Sequence, residues 1–325
     1  MSKMFKPGLL AALLMTTWAA SSDAQQPRTA APTAPAATSS AAPVDKLQAF
    51  PSPEAAADAL TAAIRRGDDK AIEAMLGVPS DALMPTRSDR FQRDRTAYLA
   101  AWDSQHRIII DPASNGTKAM VEVGTTTWTL PIPIVKDGNE WRFDPVAGLN
   151  EMAKRELGRN ELGAIQTLLA IGDAEREYAE MDPMKTGHPV YARRLLSSPG
   201  KKDGLYWASA PGQQQSPLGE QVAHSQPDGK SPGDHYGYNF RLLYGQGPAA
   251  AGGARDYIVD GHMIGGFGAI AWPARYGETG IMTFIMGYDG IVYQQDLGPQ
   301  TAQRAASIVT FNPDKGWQKA DLTPP

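Results

Sequence analysis

The groups best suited to chemistry in this sequence are scattered along it. Its five histidines, His106, His188, His224, His235 and His262, form neither a His-x-His nor a His-x-x-x-His pair. Those are the spacings that aim two imidazoles from one strand face or one helix face at a metal. Cysteine is absent, which excludes thiolate metal sites, disulfides and a lipid-modified cysteine. A serine hydrolase needs its nucleophile on a strained strand-to-helix elbow, whereas Ser197 and Ser198, ahead of Pro199-Gly200, read as turn formers. Acidic residues are plentiful, but spacing singles out no pair for acid–base work. No catalytic residue, metal or cofactor is therefore expected.

Three residues stand out as binding candidates instead. Asp260 and His262 flank the turn glycine Gly261, and Arg241 alternates away from Tyr238 and Phe240 along one strand. Loop solvation and a strand-edge charge are the plainer accounts of them. Glycines 261, 265, 266 and 268 have the look of a phosphate loop, but no Lys-Ser/Thr follows. The next residues read as strand, so no helix N-terminus faces an anion, and a hairpin with a bulge is the better reading. His224 falls in a polar loop over 210–234 and His235 directly follows it, and both read as solvated. Trp128, Trp141, Trp207 and Trp272 read as core, where each indole N–H needs a partner.

The element that must position these groups is a helix over 159–181. Leu162, Ile165, Leu168, Ile171, Ala174, Tyr178 and Met181 recur every three or four residues, one apolar stripe. Glu161, Asp173, Glu175, Arg176, Glu177 and Glu180 are assigned to the wet side. Upstream, Ser52-Pro53-Glu54 caps a helix, Gly67-Asp68 breaks it, a second helix covers 69–76, and a third covers 87–102. The period then changes to strands over 107–111, 118–123, 126–135 and 140–144, with Asp137-Gly138-Asn139 as the last turn. Downstream of the long helix, strands are expected over 236–244, 256–259, 263–272, 280–285 and 291–295. Asp260-Gly261 and Asp289-Gly290 are the clearest hairpin turns. The pattern is α+β: a helical N-terminal domain with an antiparallel meander, then a long helix packed on an antiparallel sheet.

Compartment is written at the N-terminus. Lys3 and Lys6 precede an apolar run from Leu9 to Trp18, and Ser22-Asp23-Ala24 follows as a cleavage site. Residues 1–24 are thus expected to be a secretory signal peptide, with a run too short to span a bilayer comfortably. Residues 25–46, rich in Ala, Pro, Thr and Ser, read as a disordered tether. The mature chain is expected to have no transmembrane helix and to be periplasmic or extracellular. A net charge of −4 supplies no basic footprint for nucleic acid.

Several motifs in the order in which they occur resemble one bacterial family. They are Arg159-Asn160-Glu161-Leu162, the segment Leu196-Ser197-Ser198-Pro199-Gly200-Lys201-Lys202-Asp203-Gly204-Leu205-Tyr206-Trp207, Gly237-Tyr238-Asn239-Phe240-Arg241, and the hairpin from Met282 to Gly298. The family is that of exported proteins with the domain of unknown function DUF2950, which implies no activity or catalytic residue. More distantly, Ile134 to Asp144 looks like the last hairpin of nuclear-transport-factor-2-like domains, implying a cone-like fold over 50–148. Asn160-Glu161 with the stripe to Tyr178, Gly237 to Phe240, and Tyr276 to Val292 are similar to pilin-like heads. That resemblance implies a pilin-like sheet within 150–320, though the apolar stem of a pilin is replaced here by a folded domain.

Two functions follow from these readings. One is an exported, non-catalytic binding or structural module for an envelope protein or cell-envelope component. The other is a periplasmic hydrolase using carboxylates in the cone of the first domain.

Overall fold

A computed structural model describes residues 47–77, 89–225 and 235–321 of the chain. The expected signal peptide, the tether and the start of the third helix lie outside the described residues. The fold is α+β, and the chain divides into two compact units at Met152/Ala153.

In the first unit, α1 (Pro53–Arg66) begins as its sequence dictates. Ser52 Oγ accepts the Ala55 N–H at 3.1 Å, and Pro53 occupies the first turn, where no N–H is needed. Gly67, at φ 69°, ends the helix, and Asp68 caps α2 (Asp69–Leu76) through Ala71. After α3 (Asp89–Ser104) come β1 (His106–Ile110), β2 (Lys118–Val123), β3 (Trp128–Thr129), β4 (Ile134–Asp137) and β5 (Glu140–Phe143). The antiparallel order is β1-β2-β4-β5, with β3 also on β2. The strand expected over 126–135 is split in two. Thr127 takes φ 58°, and Pro131 and Pro133 lack the N–H that a ladder needs. Leu60, Met75, Leu76, Ile134 and Phe143 are fully buried and form the core between helices and sheet.

The long helix, α4 (Pro145–Met181), starts well before residue 159. Asp144 Oδ1 accepts the Ala147 N–H at 3.0 Å and supplies the cap. In the second unit, α5 (Glu220–Ala223) is a single turn. The main sheet has the order β14 (Gln318–Lys319), β13 (Val292–Asp296), β12 (Met282–Gly287), β11 (Gly268–Pro273), β6 (Tyr238–Leu243), all antiparallel. Two small ribbons flank it, β7 (Gly245–Gln246) with β8 (Arg255–Asp256), and β9 (Ile258–Val259) with β10 (His262–Met263). Side chains alternate between the faces of the sheet. Phe240, Leu242, Ala269, Ala271, Phe284 and Met286 share a core with Ile165, Leu168, Ile171 and Tyr178 of α4. Leu243, Ile270, Trp272 and Ile285 share the other with Ala305 of α6 (Thr301–Ser307). Cover on both faces explains why the central strands β11 and β12 are almost continuously apolar and buried, whereas β13 and β14 towards the edge carry Gln294, Gln295, Gln318 and Lys319.

Two expectations are corrected. Glu175 is not on the wet side; it is fully buried, because it lies four residues after Ile171 and seven after Leu168, on the stripe itself. Trp128 is 36 % exposed, whereas Trp141, Trp207 and Trp272 are core. No described helix is long and apolar enough to cross a membrane.

Candidate functional site

Each of the three binding candidates has a defined place. Asp260 and Gly261 form a two-residue turn that pairs His262 with Val259. Both turn residues take positive φ, 49° and 79°, the backbone that a tight hairpin demands. His262 and Asp260 are exposed, and the His262 ring meets His188 edge-on at 5.9 Å between centroids. The hairpin is anchored by Arg193, whose Nη1 donates to Gly261 O at 3.2 Å. Arg241 belongs to different surroundings. Its Nη2 donates to Ala305 O at 2.9 Å and Ile308 O at 2.6 Å, and Nη1 to Ala306 O at 3.3 Å. The guanidinium lies over Trp272, and burial lowers its pKa from the ordinary arginine value. It thus caps the carbonyl end of α6, where a cation is favoured. The structure places Asp260 and His262 on one exposed hairpin and gives Arg241 a structural task.

A concave site forms elsewhere in the second unit, around the segment from Leu196 to Ala208. Ser198-Pro199-Gly200-Lys201 is a tight turn closed by the Lys201 N–H on Ser198 O at 2.9 Å, with Gly200 at φ 74°. Proline second and a positive-φ glycine third is the pattern of a type II turn. Asp203 clamps the loop from within, accepting from the Ser198 N–H at 2.7 Å and its hydroxyl at 2.9 Å. Partial burial pulls the Asp203 carboxyl upward, but these bonds outweigh it and hold its pKa below the usual value. A pocket of about 440 Å³ opens here, lined in part by Leu196, Lys201, Lys202, Tyr206, Glu220 and His224.

Its polar groups are set by their neighbours. Lys202 Nζ donates to Gln214 Oε1 at 2.9 Å and stands 5.1 Å from the Trp207 ring centroid, so its ammonium is held in place. Trp207 finds its expected N–H partner in Gln214 O at 3.0 Å. Tyr206 is held above its ordinary pKa of 10.0 by desolvation and by the Glu220 carboxylate beside it. His224 Nε2 is 4.0 Å from Glu220 Oε1. The pocket thus brings together two lysines, one carboxylate, one imidazole and aromatic side chains.

The long helix supports the pocket segment at two points. Tyr178 donates its hydroxyl to Lys202 O at 2.6 Å. Glu175 Oε2 accepts the Ala192 N–H at 2.8 Å, while Oε1 has no partner among the described residues. Burial raises the Glu175 carboxyl well above its ordinary value, and the Ala192 bond opposes this only in part.

The first unit offers less to a hydrolase. Its buried carboxylate, Glu122, accepts from Arg107 Nε at 2.6 Å, which ties up the group. Among the described residues no three His, Asp or Glu side chains could hold a metal. Although the sequence was expected to offer no serine-hydrolase elbow, one Gly-x-Ser-x-Gly run exists, Gly229 to Gly233. It lies outside the described residues, and its chemistry fails locally. Pro232 follows the serine and lacks the N–H that an oxyanion hole takes from that position.

Sequence reasoning passed over Lys201, Lys202, Tyr206 and Glu220 as site residues and read His224 as solvated. The signal available was a pair of lysines four residues before a Tyr-Trp pair; distance along the chain hid Glu220 and His224. A family model described as "Protein of unknown function (DUF2950)" matches residues 47–320. No curated protein and no solved structure matches the chain.

Proposed function

The chain belongs to the DUF2950 family, and we propose that it is an exported binding module whose site is the pocket around Leu196–Ala208. The observation that carries this reading is the pocket itself. Lys201, Lys202, Glu220, Tyr206 and Trp207 line one open concavity of about 440 Å³, a volume within the usual range for small-molecule sites of roughly 300–1,000 Å³. The N-terminal residues 1–24, with their basic start, apolar run and small-residue end, support export to the periplasm or beyond. The motif resemblances to nuclear-transport-factor-2-like and pilin-like folds, both common in recognition, support binding over turnover. In this reading the ligand is a soluble component of the cell envelope.

Equilibrium dialysis of the full-length protein against an enzymatic digest of envelope material, read by mass spectrometry, is the test. One component should be retained and recovered unchanged, and Leu196→Trp, which fills the pocket, should release it. Conversion of a component would make the protein an enzyme, and retention unaffected by Leu196→Trp would move the site elsewhere.

A further inference from the structure

Resting on that reading of the pocket, we infer that its ligand is a monoanionic sugar acid whose carboxylate is seated by Lys201. The charges in the wall point this way. Lys201 and Lys202 line the pocket together with one carboxylate, Glu220, and the Arg194 and Asp203 side chains bound to the Ser198 hydroxyl offset each other, which leaves one unit of positive charge for a ligand to neutralise. Lys202 is already engaged by Gln214 and the Trp207 ring. Lys201 is exposed, and its ammonium has no hydrogen-bond or ion-pair partner among the described residues.

Glu220 decides between kinds of anion. A phosphate monoester carries about −1.5 to −2 at neutral pH, more than the single positive charge that Glu220 leaves uncompensated in this wall. A carboxylate accepts hydrogen bonds and donates none, so it suits a ligand that brings hydroxyl groups. Leu196, 38 % exposed, and the half-buried Tyr206 supply apolar area for the C–H face of a sugar ring. One carboxylate, several hydroxyls and a C–H face together describe a sugar acid.

The test is ligand-observed NMR on the full-length protein with three probes. They are N-acetylmuramic acid, N-acetylglucosamine, which has the same ring without the carboxylate, and inorganic phosphate. N-acetylmuramic acid should bind at least about ten-fold more tightly than N-acetylglucosamine, the factor expected for one charge-assisted hydrogen bond. Lys201→Glu should abolish that preference. Equal binding of both sugars, lost together in Leu196→Trp, keeps the pocket and overturns the anion assignment. Phosphate binding more tightly than either sugar, in a Lys201-dependent way, overturns the sugar assignment. If neither sugar binds, the inference is overturned, and the envelope-digest experiment decides separately whether the pocket binds anything.

Discussion

The Glu175 carboxyl and the Ala192 N–H meet at 2.8 Å in the interior of the second unit, with the other carboxyl oxygen unpartnered among the described residues. Desolvation favours the neutral acid, so the folded-state pKa lies well above the ordinary 4.5. An acid with a raised folded pKa contributes stability that is complete below about pH 4.5 and is lost as pH rises toward the folded value. Glu175→Gln keeps an acceptor for Ala192 and removes the ionisation. The variant should therefore gain on the wild type as pH rises from 5 to 8, by up to about 1 kcal/mol per pH unit. Urea unfolding across that range supplies the curves. Parallel curves would mean that Glu175 is not a buried neutral acid.

Leu168 is fully buried, in a core that also contains Phe240 and Phe284 of the sheet. Leu168→Ala should leave a cavity and cost about 2–5 kcal/mol. Glu177 is exposed on the same helix, and Glu177→Ala should change stability by less than about 0.5 kcal/mol. Glu175→Ala no longer belongs with it: it would orphan the Ala192 N–H and empty a buried site, costing about 1–3 kcal/mol. Denaturant midpoints of the three variants give the ranking. Equal effects at 168 and 177 would show that α4 is not the spine of this unit.

Arg241 donates to three carbonyls at the end of α6. Arg241→Ala should destabilise by about 1–3 kcal/mol and speed hydrogen exchange around residues 301–308. His262→Ala, at an exposed hairpin, should stay within about 0.5 kcal/mol. An Arg241→Ala protein of unchanged stability would reopen that side chain as a binding group.

Export carries its own prediction. On the proposed export reading, Ser22 and Ala24 are the small residues that a signal peptidase would recognise, so the mature protein should begin at Gln25. Intact-mass measurement of protein recovered outside the cytoplasm is decisive, and a chain retaining Met1 would refute processing.

Local rules carried much of this fold. Ser52-Pro53 and Gly67 bound α1 because caps act within a few residues. Asp260-Gly261 made its hairpin because a two-residue turn is set by the backbone angles of its own two residues, both of which take positive φ here. The stripe from Ile165 to Tyr178 marked the core face through the helical period. The same period also placed Glu175 on the stripe, but its residue type assigned it to water. Only packing decided otherwise, by bringing the Ala192 N–H to one oxygen and burying the other without a partner among the described residues. The pocket was hidden for a related reason. Lys201 and Tyr206 belong to one loop, but Glu220 and His224 reach it through a separate segment. Arg241 read as a surface charge because the carbonyls it caps lie more than sixty residues away. Sequence determines what each segment prefers to be; which distant groups share a low-dielectric space is settled only when the segments pack.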